Sequence, residues 1–320
     1  MTRDWGIFRL TTVCTIWNRM KKTLIFLTAV LFFISGCSNR KENKVQPASL
    51  PQRIVSLGPA LTESIYLLGV QDRLVGCTVY CNRPEAARQK QKVGTVVEVS
   101  VEKIVDLKPD LILATSLTDR RAREHLRQLG MNVVLFSEAR NFDEICRQFI
   151  DFGKIVGKED KARKIVAQAK KEVESIAGRA KGIEKPKVFL EIGAKPLFTV
   201  TRESFINDFI MLAGGINIAA EAGSGLYSRE KVVAQNPDVI IIVGMGVAAG
   251  QEKKVWQKFK TLPAVKNNRI YILDSDKVCS PTPVSFSEVL KEVSSLLHPD
   301  FVDVIARSVF GDAAIPFFKV

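Results

Sequence analysis

The chain has 320 residues, 46% of them hydrophobic and 25% charged, with a formal net charge of +13. That composition excludes a disordered polyelectrolyte, and the length exceeds what a single hydrophobic core comfortably serves, so two domains are expected. The Lys and Arg residues are spread through helical stretches, which argues against nucleic acid as a partner and for a solvated basic face.

Residues 1–36 read as a targeting region and are set aside before any fold reasoning. Met20-Lys21-Lys22 gives a basic start, and Thr23–Ile34 is an apolar run of about twelve residues, shorter than a membrane span requires. Ile34-Ser35-Gly36-Cys37 resembles the lipobox of bacterial lipoproteins. Cys37 is therefore the expected lipidation site, which would hold an exported chain to a bilayer in the cell envelope. Residues 1–19 fit no signal, and translation is expected to begin at Met20. Processing before Cys37 removes five bases (Arg3, Arg9, Arg19, Lys21, Lys22) and one acid (Asp4), so the charge falls by four, from +13 to +9. Residues 37–50 are polar and read as a tether.

Residues 51–141 form the first expected lobe. Strands at Arg53–Leu57, Arg73–Thr78, Asp110–Ala114 and Asn132–Phe136 alternate with helices at Ala60–Leu68, Val101–Leu107 and Arg121–Leu129. Alternation at this spacing predicts a parallel α/β sheet. From 142 to 184 the strands stop. Ile165, Val166, Ala169, Val173 and Ile176 have helical spacing within 159–180, and a helix of that length, about 33 Å, reads as a strut between α/β blocks. Strands resume in a second lobe, 185–300, at Lys187–Ile192, Asp238–Val243 and Arg269–Leu273. The tail 301–320 is apolar and has no assigned role.

Four cysteines lie beyond Cys37: Cys77, Cys81, Cys146 and Cys279. If Cys77 lies in a strand that continues, Cys81 is about 13 Å away, beyond bridging distance. Pairing of Cys81 with Cys279 is geometrically conceivable, and free thiols are the alternative.

An internal repeat is the most informative feature. Residues 100–114 read SVEKIVDLKPDLILA and residues 228–242 read SREKVVAQNPDVIII. Both run Ser, Glu, Lys, then Pro-Asp and an apolar strand, so the molecule is expected to be two similar lobes. In each copy Ser suits an N-cap and the acid, Glu102 or Glu230, suits the helix dipole. Equivalent carboxylates on both lobes also suit Arg residues of a symmetric two-subunit partner.

The stretches RIVSLGPALTESIYLLGVQDRLVGCT, YCNRP, KVGTVVEVSVEKIVDLKPDLILA and AVKNNRIYILD resemble the Fe/cobalamin periplasmic binding family, from about Arg53 to about His298. The resemblance implies an α/β fold of two Rossmann-like lobes joined by one long α-helix, with the ligand cleft between them and little hinge motion. It implies that Glu102 and Glu230 dock onto the permease dimer of an ABC importer, which works with ATPase subunits. It also implies a metal chelate as cargo, a cobalamin-type corrinoid or a ferric siderophore, and no resident cofactor. By the same resemblance Tyr80 and Phe198 line the cleft as aromatics, while Thr95 or Val96, and Thr115, stand where a cobalamin binder carries tryptophans. Arg83 and Arg202, in loops expected to face the cleft, suit chelate carboxylates. Tyr227 is a candidate rim aromatic, and Asn82, Ser280 and Thr282 are candidate hydrogen-bonding residues.

Other functions fit less well. No catalytic residues and no metal ligands are assigned, because no His/Asp/Glu cluster is evident and His125 and His298 map to no cleft loop; both are expected at the surface. Gly244-Met245-Gly246-Val247-Ala248-Ala249 resembles a dinucleotide turn but lacks the later acid, so a nucleotide-cofactor enzyme is a weak alternative. An envelope ligand sensor with the same lobes is the other alternative.

Overall fold

The computed structural model describes residues 50–244 and 246–299. The expected signal, Cys37 with its tether, and the tail 301–320 lie outside the described residues.

Two separate sheets form the frame. The N-terminal lobe holds β1 (Ile54–Ser56), β2 (Leu74–Cys77), β3 (Gln91–Lys92), β4 (Leu111–Thr115) and β5 (Val133–Phe136) in the order β3-β2-β1-β4-β5, every pair parallel. The C-terminal lobe holds β6 (Lys187–Ala194), β7 (Leu197–Thr199), β8 (Ile216–Asn217), β9 (Val239–Gly244) and β10 (Ile270–Asp274) in the order β10-β9-β6-β7, with β8 also on β6. Only the β6–β7 pair is antiparallel. Among helices, α1 (Pro59–Leu68), α2 (Val101–Asp106) and α3 (Arg120–Gln128) belong to the first lobe. Next come α4 (Phe142–Ile155) and the long α5 (Glu159–Arg179), then α6 (Phe205–Leu212), α7 (Arg229–Gln235), α8 (Gly246–Trp256), α9 (Pro263–Lys266), α10 (Ser275–Val278) and α11 (Pro283–Leu297).

The repeat is structural. Helix α2 with strand β4, and helix α7 with strand β9, are the two copies, and each strand lies beside the first strand of its own sheet. Ser100 Oγ accepts from Lys103 N at 3.2 Å and Ser228 Oγ from Lys231 N at 3.3 Å, capping both helices. Asp110 accepts from Gln52 N at 2.7 Å and Arg53 N at 2.9 Å, and Asp238 accepts from Lys187 N at 2.8 Å. In both lobes the Pro-Asp pair thus ties the start of the second strand to the start of the first.

Strand periodicity divides the core. Leu111, Leu113, Val239, Ile241 and Val243 face one apolar cluster shared by both lobes, while Ile112 and Ala114, or Ile240 and Ile242, face an outer cluster belonging to one lobe. The shared cluster is filled by α4, α5 and α11. Phe286 of α11 stacks between Phe142 of α4 at 4.5 Å and Phe209 of α6 at 4.3 Å. The chain between the sheets is therefore two helices. They are broken at Gly157, whose φ of 72° is a left-handed conformation favoured by glycine.

The strand at Arg73–Thr78 ends earlier than a continuous extension would require. Cys81 N donates to Thr78 O at 3.1 Å, so the chain turns after Cys77 and brings Cys81 back over it. The expected separation of about 13 Å is corrected: the turn sets Cys81 back beside Cys77, and Lys92 Nζ lies 3.3 Å from Cys77 Sγ and 3.4 Å from Cys81 O. Cys279 is free and exposed, and Cys81 is buried among Cys77, Thr62 and Thr78, so those two do not pair.

Candidate functional site

A cavity of about 410 Å³ opens between the lobes. It lies where parallel α/β sheets place ligands, at the carboxyl ends of strands. The loop after β1 supplies Gly58–Leu61, the turn after β2 supplies Tyr80, the loop after β4 supplies Thr115–Leu117, and β5 supplies Phe136 with the following Ser137–Ala139. The opposite wall is Ser275 and Asp276, just after β10, and Cys279–Pro283, which lead into α11. Ile145, Phe149 and Phe152 of α4, with Phe205 of α6, add apolar surface. Glu138 and Asp276 are the charged residues in the lining, and no base or histidine joins them.

Several expected residues converge here. Tyr80 lines the cavity with 43% of its surface exposed, and Val96, Thr115, Ser280 and Thr282 also line it. Thr282 is buried, and its hydroxyl is engaged in capping: Ser285 N donates to Thr282 Oγ1 at 3.2 Å, and Thr282 N to Ser285 Oγ at 2.9 Å. Asn82 and Arg83 stand behind the wall and join the lobes. Asn82 Nδ2 donates to Asp276 Oδ2 at 3.3 Å, and Arg83 Nη2 to Ser280 O at 2.8 Å. Arg83 also pairs with Glu63 at 3.2 Å, and Ser285 Oγ donates to the same Glu63 oxygen at 3.3 Å. Burial pushes the Glu63 carboxyl up, opposed by Arg83 and then by Ser285.

Asn82 and Arg83 are thus outside the lining itself, as are three more expected residues. Phe198, 40% exposed, bridges to Leu226 on β7, beside the carboxyl end of β6. Arg202 pairs with Glu221 on the surface. Tyr227 is half-buried against Phe189, ring centroids 5.9 Å apart, with Lys231 Nζ over its ring at 5.7 Å. Neither Arg83 nor Arg202 is thus an unengaged cation awaiting a carboxylate. His125 is exposed on α3, but His298 is half-buried, with Nε2 3.0 Å from Ala213 O, which corrects its expected surface position.

Glu102 and Glu230 each follow the N-cap serine of a short helix, and both are exposed. The Glu230 carboxyl is held below its usual range by its own backbone N–H and by the Ser228 hydroxyl. Behind Glu230, Arg229 pairs with Glu252 and lies 5.3 Å over the Trp256 ring. Trp256 Nε1 in turn donates to the fully buried Glu191 at 2.6 Å.

The α4 contribution to the cavity was missed in sequence. Phe142, Ile145, Phe149 and Phe152 recur at helical spacing, which was the available signal.

A profile of the family described as Periplasmic binding protein matches residues 54–277. The chain belongs to this family. This periplasmic binding protein is 32% identical over 259 residues to YvrC of Bacillus subtilis (strain 168), an uncharacterized ABC transporter substrate-binding lipoprotein; the match covers 78% of this chain and 81% of YvrC. Among solved structures, it resembles the periplasmic vitamin B12 binding protein BtuF of Vibrio cholerae with a TM-score of 0.67 and 27% identity, covering 78% of this chain and 97% of that one. It also resembles the periplasmic heme-binding protein RhuT of Roseiflexus sp. RS-1, with a TM-score of 0.71 and 25% identity, covering 78% and 98%. The binding protein shares with them the mixed α/β architecture of two lobes around a cleft.

Proposed function

We propose that this protein is the lipid-anchored, extracytoplasmic substrate-binding subunit of an ABC importer, and that it carries a corrinoid. The observation that carries the ligand class is the chemistry of the inter-lobe cavity. Its surface is apolar and hydroxyl-rich, Tyr80 stands in its wall, and its charges are the acids Glu138 and Asp276. Such a lining suits a flat, amide-bearing, electrically neutral macrocycle. It repels a carboxylate-rich ferric siderophore, because Arg83 and Arg202 already hold Glu63 and Glu221. The BtuF likeness at 27% identity supports the same reading.

In this reading Tyr80 gives stacking surface in the cavity wall, Phe198 and Tyr227 serve only as contacts beyond it, and the Ser280 hydroxyl and Asp276 meet polar arms. Arg83, Asn82 and Thr282 act one step back, by setting the wall. Cys37 carries the lipid, and Glu102 and Glu230 dock the loaded protein on the permease. Heme is a second reading, since a tyrosine such as Tyr80 is a known axial ligand to heme iron and RhuT is a heme binder by name.

Calorimetric titration of the purified protein with cyanocobalamin, a ferric siderophore and hemin decides among them. Cyanocobalamin is expected to bind, and Tyr80→Ala to weaken it by roughly tenfold, about 1.4 kcal/mol. Binding of the siderophore without the corrinoid sinks the proposal. A hemin Soret shift abolished by Tyr80→Phe moves it to heme.

A further inference from the structure

Beneath the turn that carries Tyr80, Cys77 and Cys81 are fully buried, and the Lys92 ammonium reaches both the Cys77 sulfur and the Cys81 carbonyl. Thr62 Oγ1 donates to Cys81 Sγ at 3.1 Å, and Thr78 Oγ1 lies 3.2 Å from it. On the other side Lys92 Nζ approaches Cys77 Sγ at 3.3 Å and also donates to the carbonyls of Ala87 at 3.0 Å and Cys81 at 3.4 Å. This is a polar, cationic surrounding for two thiols. Hydrogen bonds given to Cys81 by Cys77, then by Thr62 and Thr78, draw its thiol down to about 6 against desolvation, while the proton shared with Cys81 and burial push Cys77 up. A thiolate beside a protonated thiol is the arrangement of a nucleophile and its resolving partner.

We propose that Cys77 and Cys81 are a reversible thiol–disulfide pair whose closure fixes the turn bearing Tyr80 in the cleft wall. The oxidant is a disulfide, either a small one such as oxidised glutathione or the exposed disulfide of a dithiol oxidoreductase. The Cys81 thiolate attacks one of its sulfurs, forming a mixed disulfide and expelling a thiolate, which takes the proton of Cys77. Cys77 then attacks Cys81 Sγ and expels the second thiolate, which is protonated from solvent. Two protein thiols are oxidised by two electrons and the external disulfide is reduced to two thiols. Lys92 stabilises the thiolate that forms on Cys77. Opening of the turn admits the oxidant, and its outer residues Val79 and Tyr80 are already 44% and 43% exposed. The supply of disulfides rests on the exported location proposed above, but the thiol chemistry is tested apart from it.

The folded protein is equilibrated with mixtures of oxidised and reduced glutathione, quenched with acid, alkylated after unfolding and digested with trypsin. The peptide spanning 74–88 holds both cysteines. It is expected to lose both alkyl labels together and become lighter by two hydrogens, while the buried Cys146 stays labelled. Cys77→Ser is expected to arrest at a glutathione adduct on Cys81, and Cys81→Ser to leave Cys77 unmodified. Amide exchange at Val79 and Tyr80 is expected to slow in the oxidised protein. Retention of both labels in oxidised glutathione, a stable adduct in the unsubstituted protein, or unchanged exchange across the turn overturns the proposal. A protein that closes this disulfide yet binds no chelate overturns the importer reading and leaves this one standing.

Discussion

Arg83 of the N-terminal lobe donates to Ser280 O of the C-terminal lobe at 2.8 Å and holds Glu63 with the same nitrogen at 3.2 Å. The pair keeps 20% and 14% of its side-chain surface exposed, so it is neither a surface ion pair nor a sealed one. Removing Arg83 leaves a mostly buried carboxylate with Ser285 for company. Arg83→Ala is therefore expected to cost about 2 kcal/mol, below the full penalty for breaking a buried pair. In thermal melts, Glu63→Gln in the same protein is expected to recover part of that loss, and equal, additive costs would contradict the coupling.

The repeated aspartates give a second expectation. Asp110 accepts two backbone amides and Asp238 one. Denaturant titration is expected to show Asp110→Ala costing about 2 kcal/mol and Asp238→Ala about 1. The reverse order would show that strand tethering is not what these residues contribute.

Glu191 should make stability fall as pH rises. Burial lifts its carboxyl to about 7, opposed by the Trp256 indole and Arg229 and reinforced by Glu252. The unfolded side chain titrates near 4.3, so between about 4.3 and 7 the folded protein holds a proton that the unfolded chain has lost. The associated stability is complete below that window and is lost as pH climbs through the folded value, by roughly 4 kcal/mol at most. Trp256, the sole tryptophan beyond Cys37, reports the event through its hydrogen bond to Glu191. A fluorescence titration with a midpoint near 7 that vanishes in Glu191→Gln is expected. A midpoint that survives the substitution assigns the titration elsewhere.

Reversing Glu102 and Glu230 together to Lys is expected to abolish stimulation of the importer's ATP hydrolysis while leaving ligand affinity unchanged; the melting temperature should fall slightly, because each exposed acid sits in the first turn of its helix. Undiminished stimulation removes them from the docking surface.

Much of this could be read in sequence because it is periodic. The two Pro-Asp strands announced matched lobes, and the unbroken apolar runs along β4 and β9 marked them as buried. What escaped was set by turns and shared stripes. Nothing in Cys77-Thr78-Val79-Tyr80-Cys81 marks where extension stops, so the sulfurs were placed far apart. The stripe Phe142, Ile145, Phe149, Phe152 looks the same whether it fills a core or borders a cleft; here all four fill the core and the last three also border the cleft. Thr282 was named as a cleft residue, and only the fold shows that its hydroxyl also caps α11 through Ser285.

The apolar cluster common to both lobes also governs how the molecule comes apart. Stripping either sheet away would bare apolar side chains of the helices packed between them, such as Phe149 and Phe286, so neither half is expected to fold stably alone. Calorimetry should accordingly record one heat-absorption peak, with van't Hoff and measured enthalpies in agreement.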